Sequence, residues 1–78
     1  MALVTRLERD ERDFRSLHPT HVACKYLVSE NQGKKVLQLN TYGSEDREIP
    51  GKLSQTLQFD EQSARQLFAV LQREFGNA

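Results

Sequence analysis

Uncharged hydrogen-bonding side chains recur along two segments of the chain, 34–42 and 53–59. Both segments alternate polar with apolar residues, which is the pattern of a half-buried β-strand. On paired strands the polar residues share one face, and these residues are Gln38, Asn40, Tyr42, Ser54, Thr56 and Gln58. Most solvent-facing strands carry Lys and Glu, so a face of amides, hydroxyls and one phenol indicates a surface kept for a ligand.

Such a face suits a single nucleic-acid strand, whose bases stack on aromatic rings and present polar edges to side-chain amides. Phosphates additionally need lysine or arginine at the rim. We therefore predict non-catalytic binding of single-stranded DNA or RNA by Lys25, Lys34, Lys35, Gln38, Asn40, Tyr42, Arg47, Lys52, Thr56 and Gln58. The alternative interpretation is an ordinary solvated face that happens to be uncharged.

Two other groups of residues could carry chemistry. His18, His21 and Cys24 are spaced three apart, but residues three apart on a strand point to opposite faces, so we predict neither a metal site nor a Cys–His nucleophile. Three acids, Glu45, Asp46 and Glu48, lie close together in a polar turn. Clustered carboxylates can hold Mg²⁺, so a minimal nuclease is a third hypothesis, although a solvated turn is favoured. We expect no cofactor.

A β-hairpin and a third strand position the polar face. Strands are predicted from Thr20 to Ser29 and from Lys34 to Tyr42, with a turn at residues 30–33 that contains Asn and Gly. Pro50 and Gly51 mark the turn before the third strand, from Leu53 to Phe59. On the second strand Leu37, Leu39 and Thr41 face inward, away from the polar set.

A C-terminal helix is the clearest element of the sequence. Asp60 is a good N-cap and Gly76 is the expected stop. Apolar residues recur at helical spacing between them and should cover the apolar face of the sheet; they are Ala64, Leu67, Phe68, Leu71 and Phe75. Because so small a core contributes little stability, we expect a homodimer whose interface includes Leu67, Phe68, Val70 and Leu71; a well-packed monomer is the alternative.

The N-terminal segment, 1–19, is predicted as a charged arm or a short helix. Charges of alternating sign over residues 5–17 suit i,i+4 pairs such as Glu8–Arg12 and Glu11–Arg15. A short strand near Phe14 to Leu17 is the lesser alternative. Residues 20–76 form the single β-β-β-α domain of this interpretation.

Length and charge narrow the function classes. The 78 residues allow one small domain, and a net charge of zero argues against a strong duplex-DNA binder. Residues 21–59 hold five basic and four acidic residues, so charge is only slightly sorted toward the predicted face. One cysteine, no secretory signal and no apolar stretch of membrane-spanning length predict a cytoplasmic, reducing environment without membrane contact.

The order of these elements resembles that of the positive-cofactor-four type transcriptional coactivators, which are relatives in fold of the Whirly proteins. The similar stretches cover residues 35–42, Glu45-Asp46, Pro50-Gly51-Lys52 and residues 57–67. The resemblance implies a homodimer with curved antiparallel sheets, helices packed across the two-fold axis, and concave channels for single-stranded DNA. Lys34, Tyr42 and Lys52 match positions near the nucleic acid.

Three positions depart from that pattern. Gly43 stands where a tryptophan is expected, Asn40 where a strand arginine is expected, and Leu53 where a second linker cation is expected. The predicted fold is thus α+β: an antiparallel sheet of three or four strands, a C-terminal helix and a dimer. The alternative function is a protein-interaction adaptor that uses a sheet edge or the flank of Phe68, Ala69 and Val70.

Overall fold

The residues that the structure describes form an α+β fold with one four-stranded sheet and one C-terminal helix. The structure is a computed structural model and describes residues 1–43 and 52–77. Its elements are β1 (Ala2–Val4), β2 (Cys24–Asn31), β3 (Lys34–Tyr42), β4 (Leu53–Phe59) and α1 (Glu61–Phe75), and the strands lie in the order β1-β4-β3-β2. The predicted third strand, the helix and the hairpin are confirmed, with β2 starting four residues later than expected.

The hairpin between β2 and β3 closes through a two-residue loop. Asn31 pairs with Lys34, and the loop residues Gln32 and Gly33 have φ of 55° and 75°. Positive φ at both positions is what the right-handed twist of a tight hairpin requires. The pairing then continues along both strands to Cys24 opposite Thr41.

The sheet is mixed, so the prediction of a purely antiparallel sheet is wrong. β3 pairs antiparallel with both neighbours, whereas β1 runs parallel to β4, with Ala2 opposite Leu57 and Val4 opposite Phe59. The first strand falls in the segment predicted as an arm or helix. Its pairing partner lies more than fifty residues away in sequence, so no local pattern announces it.

The predicted N-terminal helix is also wrong, as is the strand near Phe14 to Leu17: residues 5–23 contain no helix and no strand. Asp10 instead accepts a hydrogen bond from the backbone N–H of Arg12 at 3.0 Å, a local turn that competes with helix formation. Phe14 and Leu17 are more than four-fifths exposed. Without a packed apolar side, a short charged helix has little to hold it.

The helix begins as predicted. The carboxylate of Asp60 accepts a hydrogen bond from the N–H of Ser63 at 2.9 Å, which satisfies one of the free donors of the first turn. Gly76 caps the other end with φ of −78°, so it does not use the left-handed conformation that usually selects glycine there.

The rotation of the helix differs from the expected one. Ser63 is fully buried, and its hydroxyl donates to the carbonyl of Val4 at 2.6 Å. Leu67 and Val70 share that side of the helix and are half-buried, whereas Phe68, Leu71 and Phe75 are exposed. The predicted stripe therefore covers the sheet only in part, and the Ser63–Val4 hydrogen bond joins the buried side of the helix to β1.

The core lies where α1 crosses β3 and β4. Phe59 is 5 % exposed and is the only apolar residue classed as buried in the described ranges. Leu37 and Leu39 of β3 are half-buried beside it. In those same ranges, no helix is long and apolar enough to cross a membrane.

Candidate nucleic-acid interface

The sheet face opposite the helix carries the predicted polar residues. Strand pairing sets Gln38 beside Gln58 and Asn40 beside Thr56, so these four side chains occupy adjacent positions on β3 and β4. Alternation along β3 places Leu37 and Leu39 on the other side, under the helix. We call this side of the sheet the polar face.

Side-chain hydrogen bonds join those four residues into one connected set, which we call the amide chain. Gln58 Nε2 donates to Gln38 Oε1 at 2.8 Å, and Gln38 Nε2 donates to Asn40 Oδ1 at 3.0 Å. The hydroxyl of Thr56 donates to the same Asn40 oxygen at 3.0 Å. Thr56 is 9 % exposed and the three amides are half-buried, so the chain is held in place and still meets solvent.

Tyr42 lies at the end of this face, beside Lys25 of β2. Lys25 pairs with Asn40 across the strands, and its Nζ lies 5.2 Å from the centroid of the Tyr42 ring. That distance is typical of a cation–π contact. A register shift between Thr41 and Tyr42 interrupts the pairing with β4 at this point. The structure therefore joins an aromatic ring and an ammonium group next to the amide chain.

The remaining predicted cations do not all lie on this face. Lys34 lies on the same face of β3 as Gln38, whereas Lys35 lies on the opposite face, with Leu37. There Lys35 lines a cleft beside the helix together with Glu61. Lys35 is thus separated from the other binding candidates by the sheet. Lys52 precedes β4, and its carbonyl accepts a hydrogen bond from the N–H of Gly43 at 2.8 Å.

Several residues of the sequence hypotheses lie outside the described residues. These are Arg47 of the binding set, the acids Glu45, Asp46 and Glu48 of the nuclease hypothesis, and Pro50 and Gly51 of the turn. Ser54, which the sequence placed on the polar face, lies with Tyr42 at the end of the sheet.

Two leucines border the amide chain, and the sequence hypothesis did not include them. Leu27 pairs with Gln38 from β2, and Leu3 pairs with Gln58 from β1, so one row across the sheet reads Leu27, Gln38, Gln58, Leu3. A cleft of about 320 Å³ lies along this row. Alternation of β2 could have identified Leu27, whereas Leu3 required knowledge of the parallel strand.

The predicted dimer-interface residues divide between two sides of the helix. Leu67 and Val70 are half-buried on the side of Ser63, whereas Phe68 is 65 % exposed and Leu71 is 47 % exposed. Phe68 lines an apolar cleft of about 390 Å³ with Val28 and Leu37, between the helix and the outer part of the sheet.

Two carboxyl groups have shifted acidities, and both lie away from the polar face. A hydrogen bond from Arg65, its charge, and the charge of Lys35 together lower the pKa of Glu61. Hydrogen bonds from the backbone and side chain of Arg12 lower the pKa of Asp10. Both groups are exposed, so these shifts report local pairing at the helix start and in the N-terminal turn.

The metal hypothesis gains no geometric support. Cys24 is a free, exposed thiol that pairs in register with Thr41 on the helix side. Across residues 1–43 and 52–77, no three His, Cys, Asp or Glu side chains lie close enough together to hold a metal ion.

Comparison of the chain with known protein families, with curated proteins and with solved structures finds no match.

Proposed function

We propose that this protein binds single-stranded nucleic acid, without catalysis, on the polar face of its sheet. The observation that carries the proposal is the amide chain, a row of uncharged donors and acceptors placed on a surface that solvent reaches. Duplex DNA hides the Watson–Crick edges of its bases, whereas a single strand exposes them to such a row of amides.

The pair of Lys25 and Tyr42 supplies the other two contacts that a nucleotide needs. An aromatic ring contributes about 1–3 kcal/mol per stacked base and accepts any base. With the ammonium of Lys25 over one side of the ring, a base stacks on the other, and the ammonium lies near the adjoining phosphate. Lys34 and Lys52 add phosphate contacts at the two ends of β3.

A titration of a fluorescent oligo(dT) at low salt tests this proposal. We expect the anisotropy to rise for the single strand and to rise far less for a duplex of equal length. Tyr42→Leu should weaken binding by about tenfold, the loss of one stacked base. Tyr26→Leu is the matched control, because Tyr26 is an exposed tyrosine opposite Leu39, on the helix side of the same sheet.

No anisotropy change with tens of micromolar protein at low salt would refute nucleic-acid binding. Equal weakening by the Tyr42 and Tyr26 variants would keep binding but move it away from the polar face. The salt dependence should be shallow, since each phosphate-contacting cation contributes about one unit of slope.

The functional unit in this proposal is a homodimer. Phe59 is the only apolar residue classed as buried in the described part of the chain, while Phe68, Leu71 and Phe75 expose apolar surface along one side of the helix. A second copy covering that side would complete the core that a chain of this length otherwise lacks. The predicted interface residues Leu67 and Val70, which are half-buried, would then pack on the sheet side of the helix, behind the exposed residues of the interface.

Sedimentation of Phe68→Asp tests this assembly. The variant should be monomeric or unfolded, because a carboxylate cannot be left unpaired in an apolar interface. Phe14→Asp is the control, since Phe14 is also exposed but lies in the N-terminal segment. A wild-type monomer, or a dimer that persists in the Phe68 variant, would contradict the assembly. We further propose a cytoplasmic location, which the free exposed thiol of Cys24 supports.

One observation favours a second candidate function, a protein-interaction adaptor. The apolar cleft beside Phe68 and the outer edge of β2, which pairs only with β3 among the described strands, could both hold a partner segment. Changing Lys25 and Lys34 to Glu separates the candidates. If the folded variant loses oligonucleotide binding, nucleic-acid binding is supported. If the wild-type chain already binds no oligonucleotide, the adaptor is the remaining candidate.

A further inference from the structure

The hydrogen bonds of the amide chain all follow from one orientation of its amide groups. Gln58 donates to Gln38, Gln38 donates to Asn40, and Thr56 donates to the same oxygen of Asn40. In this arrangement the two N–H groups of Asn40 and the carbonyl oxygen of Gln58 remain outside the three bonds. One end of the chain therefore offers donors and the other end offers an acceptor.

The same positions accommodate the opposite orientation. The O and N atoms of a side-chain amide occupy equivalent places, so rotating each amide by half a turn exchanges donor and acceptor. Asn40 then donates to Gln38 and Thr56, and Gln38 donates to Gln58. The separations of 2.8, 3.0 and 3.0 Å all suit N–H···O bonds, and the Thr56 hydroxyl can accept as readily as it donates.

Inversion of the whole chain preserves every internal hydrogen bond and exchanges what the two ends offer. We propose that the amide chain inverts as a unit, so that the polar face can hydrogen-bond either a donor or an acceptor on a nucleobase edge. This inference rests on the proposed binding of single strands and explains how a hydrogen-bonding face could tolerate different bases. A single fixed orientation would instead leave donors or acceptors unpaired against half of the base edges, which weakens binding.

Carboxylates fix the orientation and so test the inference. In Asn40→Asp the new side chain only accepts, which matches the bonds from Gln38 and Thr56 and blocks inversion. Its outer oxygen then favours guanine, whose Watson–Crick edge has two adjacent donors, over adenine, whose edge has one donor beside an acceptor. Oligo(dT) strands that carry isolated dG or isolated dA residues compare the two purines without self-complementary pairing and with stacking nearly matched.

We expect the wild type to bind the two oligonucleotides within about threefold of one another. Asn40→Asp should shift the ratio toward the guanine oligonucleotide by about fivefold or more. Ser29→Asp is the charge-matched control, because Ser29 lies on the polar face with Lys25 and Leu27 but outside the amide chain. It should weaken both complexes and leave their ratio unchanged.

Gln38→Glu is a second variant that fixes the orientation of the amide chain, and it is used if Asn40→Asp does not fold. A carboxylate at the centre accepts from both neighbouring amides, so both ends of the chain display oxygen and the same shift toward guanine follows. Unchanged ratios in the folded variants, or a strong base preference in the wild type, would overturn inversion while leaving single-strand binding intact. A wild-type chain that binds neither oligonucleotide would refute the proposed function and this inference together.

Discussion

The two faces of the sheet are built from alternate residues of the same strands but are held together by different forces. On the helix side Phe59 is buried, with Leu37 and Leu39 half-buried beside it. On the polar face the side chains are fixed by hydrogen bonds to one another, from Gln58 through Gln38 to Asn40. Removal of apolar surface from water stabilises the first face, whereas directional bonds set the geometry of the second.

This difference separates stability from recognition. Substitutions on the helix side should change the free energy of unfolding, and substitutions on the polar face should change affinity with a smaller effect on stability. Adjacent residues such as Lys34 and Lys35 fall on opposite faces, so neighbouring substitutions offer matched controls.

The largest effect should come from Phe59→Ala. Truncation of a buried Phe costs about 3–5 kcal/mol, because transfer energy is lost and a cavity remains. Phe59 is 5 % exposed, whereas the control Phe14 is 81 % exposed, so Phe14→Ala should leave the unfolding midpoint nearly unchanged. Urea denaturation followed by circular dichroism measures both. Similar midpoints for the two variants would show that the helix does not cover a core at Phe59.

Ser63→Ala should have the next largest effect. Its fully buried hydroxyl donates to the carbonyl of Val4 at 2.6 Å, and removal leaves that carbonyl without this donor. The expected cost is about 1–3 kcal/mol. Hydrogen exchange should accelerate first at β1, since this bond joins the strand to the helix. Ser54→Ala is the control on an exposed serine of β4. Unchanged exchange at residues 2–4 would contradict this role of Ser63.

Local patterns predicted the hairpin, β4 and α1 because each depends on signals a few residues apart. Asp60 and Ser63 form the helix cap within one turn, and alternation places Gln38 and Asn40 on one face. The amide chain itself was not predicted, since it depends on the register between β3 and β4. In that register Gln38 lies opposite Gln58 and Asn40 lies opposite Thr56, which brings the four side chains within hydrogen-bonding distance.

The errors arose where distant contacts decide the outcome. The charge pattern of residues 5–17 is compatible with a helix, yet Phe14 and Leu17, which belong to its predicted apolar side, are exposed. β1 depends on parallel pairing with β4, and the buried side of α1 includes Ser63, which bonds to Val4 of that distant strand.

A pair of lysine variants gives the next smaller effect and compares the faces directly. Lys25→Gln should reduce the slope of log affinity against log salt by about one unit, because one phosphate contact is lost. Lys35→Gln should leave the slope unchanged, since Lys35 lines the cleft with Glu61 on the other side. Anisotropy titrations at four salt concentrations measure the slopes. If the slope of log affinity against log salt is equal for the two variants, nucleic-acid binding does not distinguish the polar face from the helix side.

The smallest expected effect is the pH dependence contributed by Glu61 at the start of the helix. A hydrogen bond from Arg65 at 2.8 Å, together with its charge and that of Lys35, lowers the pKa of the Glu61 carboxyl in the folded chain. A carboxyl whose folded pKa lies below its unfolded pKa stabilises the fold above the unfolded value, and this contribution is lost as pH falls through the folded value. For Glu the unfolded value is about 4.3, so the loss occurs below roughly that pH.

Thermal melts from neutral to acidic pH should therefore show a slightly lower melting temperature for Glu61→Gln at neutral pH and convergence with the wild type in acid. The difference is small because both partners are exposed and solvent screens their attraction. Arg65→Gln should reduce the pH dependence in the same direction, since it removes the largest cause of the lowered pKa. Parallel curves for wild type and Glu61→Gln would mean that the pair adds nothing to the helix side, whose stability would then rest on burial alone.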